Sequence, residues 1–256
     1  MPVSEDTKQQ TVTYVYGILP ADIEADPEAR GVGGKPISVV RHGDIAALVS
    51  ELTADQPLGK PEDLQTHAHL LDAAAAQAPV LPLRFGAVLT SPEAVADELL
   101  AANHDEFLAA LRELEGHAEY VVKGRYDEKA ILSEVLAENV DAAQLRDQIR
   151  GKPEDATRNE RIMLGELINN AIAAKREADT RKLVEALDSL GLTVNVREPT
   201  HEEDAVHVAC LAETAKQAEL EDAVGEFALQ WEGRVNVRLM GPLAPYDFVV
   251  TQRPQG

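Results

Sequence analysis

Basic side chains, cysteines and aromatic rings are all scarce in this chain. Lys and Arg number 24 against 45 Asp and Glu, so the formal net charge is −21 at pH 7. A protein with this charge repels a phosphate backbone, and nucleic acid is therefore not expected as a partner. The single cysteine, Cys210, excludes an internal disulfide framework and is typical of a reducing cytoplasm.

Long apolar runs are absent as well. No segment approaches the ~20 apolar residues that a membrane-spanning helix needs, and the start of the chain has no apolar signal core behind a basic stretch. We therefore expect a cytoplasmic protein without a membrane partner. Apolar residues still make up 45% of the 256 residues, which is normal for a globular protein, and the length suits one large domain or two ordinary ones.

The first part of the chain mixes strand and helix signals and predicts an α+β domain over residues 1–116. The predicted elements are strands over 12–19 and 37–50, helices over 62–77 and 92–114, and a bent apolar segment over 80–89. Within 37–50, the sequence His42-Gly43-Asp44 indicates the turn of a hairpin.

The second part of the chain has a different order of strand and helix signals and predicts a ferredoxin-like domain over residues 117–241. Strands are predicted over 119–126, 193–198, 204–212 and 234–240, two short helices over 127–150, a long helix over 156–190 and a last helix ending near Trp231. Gly191 should end the long helix in a left-handed cap, and Thr214 with Gln217 should form a capping box for the last one. Strand, helix, strand, strand, helix, strand is the order of a split βαβ unit, here with inserted helices. The predicted fold class is therefore α+β with two domains.

Motifs that could suggest catalysis or metal binding are better explained by structure. The glycine-rich segment 31–36 precedes a strand and not a helix, so it predicts a turn and not a phosphate loop. His67 and His69 are two apart on a helix, where a metal pair would be four apart, so one should be packed and the other solvated. Cys210 alternates in phase with buried valines of its strand, which predicts a core position. We predict no catalytic residue, no metal and no cofactor.

One face of the sheet in the second domain is predicted to be basic, on an otherwise acidic protein. Alternation assigns seven apolar residues to the buried face: Val194, Val196, Val206, Val208, Val235, Val237 and Leu239. The opposite face then carries Lys123, Arg125, Arg197, Arg234 and Arg238, together with His207 and Asn236. This cluster is either a docking surface, for an acidic partner or for the acidic first domain, or an ordinary solvated face.

The C-terminal tail, residues 242–256, is unusually stiff and apolar for a chain end. Pro242 and Pro245 pre-set an extended backbone, which loses little entropy on docking. In an extended chain Tyr246 and Phe248 face the same side and can enter one groove. We expect that groove in this chain's own first domain, with a groove on a partner as the alternative.

Arg84 and Phe85 lie in the apolar segment 80–89. An arginine between apolar neighbours either extends toward solvent or pairs with a carboxylate. We expect structural roles for both residues, with Arg84 in an ion pair or bound to carbonyl groups, and no catalytic role for either.

Four segments together resemble the GvpL/GvpF family of gas vesicle proteins. They are YVYGIL at 14–19, VLPLRFGAVL at 80–89, EYVVKG at 119–124 and GPLAPYDFVV at 241–250. Their order and spacing, with the long helix between the last two, match the family over essentially the whole chain. The terminal motif is the most specific, although Leu243 stands at the family's aromatic position and Ala244 where proline is frequent. Tyr120 and Val121 likewise stand where Trp and Gly are common.

This resemblance implies a non-catalytic accessory protein of gas vesicle assembly. Family members associate with the small hydrophobic shell protein GvpA and with other accessory proteins, and they are similar in having two α+β domains, the second ferredoxin-like. The implied location is the cytoplasm and the gas vesicle, with self-association left open. The residues alone leave two alternatives, a ligand-sensing regulatory module and an enzyme with a pocket on the open sheet face, because ferredoxin-like domains host many functions.

Overall fold

Strands and helices alternate in the computed structural model, which describes residues 10–249 and contains nine strands and seven α-helices in that range. The chain divides into two units, each with its own antiparallel sheet. The first unit comprises the described residues up to Glu119, the segment Glu213–Ala215 and the residues from Gly241 on. The second comprises Tyr120–Ala212 and Lys216–Met240.

The sheet of the first unit is built around its first strand. The strands are β1 (Thr11–Pro20), β2 (Ser38–His42), β3 (Ile45–Thr53), β4 (Leu81–Pro82) and β5 (Val88–Leu89), in the order β2-β3-β1-β4, with β5 also paired to β1. β2 and β3 form the predicted hairpin, in which His42 lies opposite Ile45. β1 is buried on both faces from Thr13 to Leu19, which suits a central strand rich in β-branched and aromatic residues.

The first helix, α1 (Pro61–Ala75), confirms the helix predicted over 62–77. It begins at a proline, where the missing N–H costs nothing. The side chain of Asp63 accepts a hydrogen bond from the Lys60 N–H at 3.2 Å and so caps the start of the helix. α1 packs against β1 and covers that strand on one side.

The single helix predicted over 92–114 is wrong, because the segment is broken. It consists of the short α2 (Pro92–Ala94), a π-helical segment (Val95–Ala101) and α3 (His104–Glu113). The break falls at Asn103, whose side-chain amide donates to the Leu99 carbonyl at 2.8 Å. An asparagine that bonds to the backbone of the preceding turn competes with the regular helical pattern.

The sheet of the second unit has the strand order β7-β8-β6-β9. Its strands are β6 (His117–Tyr126), β7 (Thr193–Val196), β8 (Asp204–Glu213) and β9 (Val235–Leu243). Val206, Val208 and Val235 are buried as predicted, but Val196 is 55% exposed. The prediction for Val196 is wrong because β7 is a short edge strand, which has a neighbour on one side only.

Four helices accompany the second sheet: α4 (Glu128–Glu138), α5 (Val140–Ile149), α6 (Arg158–Ser189) and α7 (Gln217–Gln230). Asp127 and Asn139 cap α4 and α5 by accepting hydrogen bonds from the N–H groups of Ala130 and Ala142. Both short helices pack against the long α6. The chain leaves α6 at Gly191, whose φ of 74° confirms the predicted left-handed cap.

The capping box predicted for α7 is wrong. The Thr214 hydroxyl donates to the Gly116 carbonyl at 3.1 Å, and a 3₁₀ turn precedes the helix. Gln217 accepts a hydrogen bond from the Tyr120 hydroxyl at 3.1 Å and donates to Glu221 at 2.7 Å. The two side chains that a capping box needs are therefore engaged elsewhere.

Each unit has its own buried core. The core of the first unit includes Tyr14, Tyr16, Val32, Leu52, Leu71 and Ala244. Buried residues of the second unit include Leu183, Leu187, Val208 and Leu220. Cys210 is fully buried, which confirms its predicted core position.

Candidate functional site

A depression along the edge strand β9 gathers four of the five predicted basic residues. Its volume is 740 Å³, and Lys123 and Arg125 reach it from β6. Arg234 lines it from the turn before β9, and Arg238 lines it from the strand itself. Arg197 is not part of the lining, because it follows β7 at the opposite edge of the sheet.

The depression follows the edge of β9 and not one face of the sheet. Consecutive residues of β9 and of the preceding turn line it, so side chains from both faces contribute. Asn236, Arg238 and Met240 are exposed on one face, whereas Val235 is buried and Val237 half-buried on the other. This burial confirms the alternation predicted for the strand.

Lys123 and Arg125 share one buried carboxylate at the start of β8. The Nζ of Lys123 lies 3.5 Å from one oxygen of Asp204, and the Nε of Arg125 lies 3.8 Å from the other. Asp204 is 1% exposed and also accepts hydrogen bonds from the N–H groups of Thr200 and His201. Burial alone would raise the pKa of Asp204, but these hydrogen bonds and the charge of Lys123 outweigh burial and hold the pKa below its ordinary value. Two cations opposite one carboxylate leave net positive charge at this point.

Arg234 is held within the second unit by two acidic residues. Its Nε donates to Glu134 at 2.6 Å, and its Nη1 lies 2.8 Å from Asp179, which is 2% exposed. The guanidinium carbon lies 5.2 Å from the ring centroid of Tyr126, whose hydroxyl donates to Asp179 at 2.7 Å. The Nζ of Lys175 lies 2.6 Å from the same glutamate. These five residues form an ion-pair cluster beneath the depression.

The pKa values of the ion-pair cluster follow from these contacts. The hydrogen bond from Arg234 holds the pKa of Glu134 below its ordinary value, against the effect of burial. Burial would lower the pKa of Arg234, but its hydrogen bonds to the two carboxylates raise it instead. Burial, together with the hydrogen bond to Asp179, raises the pKa of Tyr126. Arg234 and Glu134 therefore both remain charged at neutral pH. No local spacing in the sequence links these residues, so sequence reasoning did not find the cluster.

The remaining two basic residues differ in their surroundings. Arg238 is exposed on β9 and forms no ion pair within residues 10–249. Arg197 is half-buried, and its N–H donates to the His207 carbonyl at 2.9 Å. Arg238 is therefore the cation of the depression that no carboxylate within residues 10–249 pairs with.

The C-terminal tail belongs to the first unit, and its buried residues are the predicted Pro245 and, in addition, Ala244, to which sequence reasoning gave no docking role. Ala244 and Pro245 are both buried, and the Ala244 N–H donates to Asp72 at 2.9 Å. The Asp247 N–H donates to Glu119 at 3.0 Å. The small apolar side chain of Ala244 fits the core cluster and is the feature of the sequence that could have indicated its burial.

The prediction that Tyr246 and Phe248 face one side of an extended chain is wrong. Their N–H groups donate to carbonyls two and three residues earlier, at 2.8 and 3.2 Å, so the chain turns at this point. Tyr246 is 39% exposed, and Phe248 is half-buried. Only the beginning of the tail is extended, with Pro242 inside β9. The predicted tail from position 250 on lies outside the described residues.

A buried polar network in the first unit fixes the segment 83–86. The Nδ1 of His67 lies 2.9 Å from the Tyr14 hydroxyl, and its Nε2 lies 3.0 Å from the Leu83 carbonyl. Burial lowers the pKa of His67, so the neutral ring accepts at Nδ1 and donates from Nε2. The ring of Phe85 packs edge-on against the rings of Tyr14 and His67, with centroid distances of 5.9 and 5.7 Å. Phe85 thus contributes to the packing around this network.

Arg84 differs from its prediction. Its side chain is exposed and makes neither an ion pair nor a hydrogen bond within residues 10–249, so the expected ion pair or carbonyl contact is wrong. Phe85 packs against the core cluster of the first unit, whereas the side chain of Arg84 extends into solvent, the other of the two outcomes open to such an arginine. His67 is buried and His69 exposed, as predicted.

Residues 10–249 contain no group of three His, Cys, Asp or Glu side chains that could hold a metal ion. None of the helices in this range combines the length and the apolar character needed to cross a membrane.

Comparisons with known proteins agree on one family. The model of the family described as gas vesicle synthesis protein GvpL/GvpF matches residues 12–250. Gas vesicle protein F of Streptomyces sp. (strain CB03234) is 32% identical over 243 residues, 93% of this chain and 99% of that protein. Gas vesicle protein F of Dolichospermum flosaquae is 27% identical over 237 residues, 92% of this chain and 96% of that protein. The crystal structure of the gas vesicle protein GvpF from Anabaena sp. PCC7120 matches with a TM-score of 0.75 at 26% identity, covering 95% of this chain and 100% of that one. Because the match extends over both units, the chain belongs to the GvpL/GvpF family of gas vesicle synthesis proteins.

Proposed function

We propose that this chain is a non-catalytic accessory protein of gas vesicle assembly that binds the shell protein GvpA and other assembly proteins. Membership of the GvpL/GvpF family supports a role associated with gas vesicles. A shell subunit that exposes apolar surface before it polymerises needs a soluble partner. The net charge of −21 keeps such a complex dispersed by mutual repulsion.

The observation that carries the binding role is the basic depression along β9. Lys123, Arg125 and Arg238 concentrate positive charge on a protein with 45 acidic and 24 basic residues. Lys123 and Arg125 share a single carboxylate, and Arg238 is exposed, so this part of the surface attracts acidic groups. Two acidic residues, Asp127 and Glu232, line the other end of the depression, beside Arg234. We assign partner binding to these three residues. Arg234 supports the depression through the ion-pair cluster, and Arg197 lies apart from it.

We also propose that the second unit is a ferredoxin-like domain. Its strand order β7-β8-β6-β9 and its chain order, a strand, helices, two strands, a helix and a strand, support this assignment. The domain bounds 1–116 and 117–241, with a tail from 242 on, are part of the same proposal. The burial of Ala244 in the core cluster of the first unit supports a tail that packs on the first domain.

Co-expression with GvpA followed by a pull-down tests the proposed function. We expect the wild-type chain to retain GvpA and the Arg125→Gln/Arg238→Glu variant to retain about tenfold less, which corresponds to about 1.4 kcal/mol of lost attraction. Both side chains reach solvent, so the melting temperature of the variant should change little.

A matched control separates this surface from the overall charge. The Arg84→Gln/Arg158→Glu variant has the same net charge as the test variant, but its two exposed arginines lie outside the depression. We expect it to retain GvpA like the wild type. Absence of GvpA from the wild-type pull-down would contradict the proposed function. Equal losses in both variants would mean that the depression is not the binding surface.

A further inference from the structure

The outer edge of β9 carries backbone groups that no strand within residues 10–249 pairs with. In the sheet order, β9 has β6 as its single neighbour. The Arg234 carbonyl accepts the Asp127 N–H at 2.8 Å and therefore points toward β6. Because backbone groups point to alternate sides along a strand, those of Val237 and Leu239 point away from β6. They form a row of donors and acceptors that a further strand can use.

The two edges of this sheet differ in how much they offer to a further strand. β7, at one edge, spans only 4 residues, whereas β9 at the other spans 9. Proteins commonly limit edge pairing by keeping edge strands short, as at β7. At β9 the edge is long and borders the depression, so an extended segment has both backbone partners and space.

We infer that the edge of β9 is a strand-addition site for an extended, acidic segment of a partner polypeptide. The backbone of that segment pairs with Val237 and Leu239, and its carboxylates, at alternate positions, meet Arg238 and the pair Lys123 and Arg125 on the same side of the sheet. The choice of an acidic occupant follows from the cations nearest this row, which are Lys123, Arg125 and Arg238. The acidic lining residues, Asp127 and Glu232, lie at the Arg234 end of the depression. The partner's part in gas vesicle assembly rests on the proposed function, but the strand-addition site itself does not.

The same charges argue against a second copy of this chain as the occupant. An antiparallel pair of two β9 edges brings Arg238 and the neighbouring cations of both copies together, and like charges opposite each other destabilise a strand pair. The net charge of −21 on each copy adds a repulsion over longer distance. An acidic strand of another protein avoids the first obstacle, because its carboxylates meet the cations of the depression.

Substitutions at Val237 test strand addition directly. Proline at this position removes the outward N–H but no hydrogen bond to β6, and an edge strand tolerates that change. Val237→Ala removes most of the same half-buried side chain and keeps the N–H, so it is the matched control. The probe is a short synthetic peptide in which glutamate alternates with valine, and a peptide with lysine in place of glutamate serves as its counterpart. Binding is measured by fluorescence anisotropy on the full chain, and the fold by circular dichroism.

We expect the wild type and Val237→Ala to bind the glutamate peptide, and Val237→Pro to bind it at least about tenfold more weakly, a loss of about 1.4 kcal/mol. Arg238→Glu should weaken binding to a similar extent, and the lysine peptide should not bind. Equal binding by folded Val237→Pro and Val237→Ala would overturn the inference. So would a wild-type dimer in light scattering that Val237→Pro abolishes, because the occupant would then be a second copy.

The peptide assay and the GvpA pull-down fail independently. If the wild type binds the glutamate peptide through β9 but retains no GvpA, the strand-addition site stands and the proposed function is wrong. If GvpA is retained by the wild type and equally by Val237→Pro, and the peptide does not bind, the proposed function stands and the strand-addition site is wrong.

Discussion

Arg234 occupies a position where strand alternation predicts a solvent-facing cation, yet its guanidinium contacts two carboxylates, one of them buried. The reason lies in the local backbone. Arg234 precedes β9, and its N–H donates to the Trp231 carbonyl at 2.9 Å, so it belongs to the turn that follows α7. Alternation holds inside a strand and gives no direction for a turn residue.

Replacing Arg234 with Met should lower the free energy of unfolding by about 2 kcal/mol, because Asp179 then keeps a buried charge without its main partner. The loss stays below that of a fully isolated charge, since Lys182 lies 3.6 Å from Asp179 and Arg234 is itself a quarter exposed. Arg238→Met is the matched control and should change stability by less than about 0.5 kcal/mol. Urea unfolding followed by circular dichroism measures both. Similar values for the two variants would contradict a structural role for Arg234.

At the scale of elements, local sequence patterns predicted correctly those helices, turns and caps whose structure depends on neighbouring residues. The β2–β3 hairpin, the long α6 and its cap at Gly191 depend on neighbouring residues, and the structure confirms all three. The prediction of a capping box for α7 failed because a contact between distant residues decides the structure there. Thr214 bonds to Gly116, which is 98 residues away in the sequence, and no local pattern contains that contact. The prediction of one continuous helix over 92–114 failed because the side chain of Asn103 bonds to the backbone of the preceding turn and redirects the helix.

The tail provides a second prediction at this scale. Ala244 is fully buried in the core cluster of the first unit, whereas Tyr246 is 39% exposed. Ala244→Arg should therefore lower the free energy of unfolding by at least about 3 kcal/mol, since a charged side chain cannot be solvated there. Tyr246→Arg should cost no more than about 1 kcal/mol. Urea unfolding of the two variants measures the difference, and a larger loss for Tyr246→Arg would mean that the ring and not the small residue anchors the tail.

At the scale of the whole molecule, the sequence was sufficient to predict where positive charge gathers but not how it is used. Strand alternation placed Lys123, Arg125 and Arg238 on one face of the sheet, and all three line the depression. It could not separate exposed Arg238 from Arg234, since the partner Glu134 is 100 residues away from Arg234. It also could not indicate that β9 lies at the edge of the sheet formed within residues 10–249, because strand order depends on how the whole sheet assembles.

The uneven charge predicts opposite effects of salt on stability and on binding. Raising NaCl from about 0.05 M to about 0.5 M shortens the Debye length from about 14 to about 4 Å. Screening then weakens the mutual repulsion that follows from a net charge of −21, so the melting temperature of the chain should rise slightly. The same screening weakens the attraction between an acidic partner and the depression, so GvpA retention should fall severalfold.

The Arg125→Gln/Arg238→Glu variant is the control for this experiment. Its melting temperature should respond to salt as that of the wild type does, because the overall charge is still strongly negative. Its weaker GvpA retention should be nearly independent of salt, because the attraction that salt screens has been removed. If retention by the wild type were unaffected by salt, or if wild type and variant lost GvpA in parallel, the contact with GvpA would not depend on the basic depression. Apolar contacts elsewhere on the chain would then have to hold the shell protein, since burial of apolar surface does not weaken as salt rises.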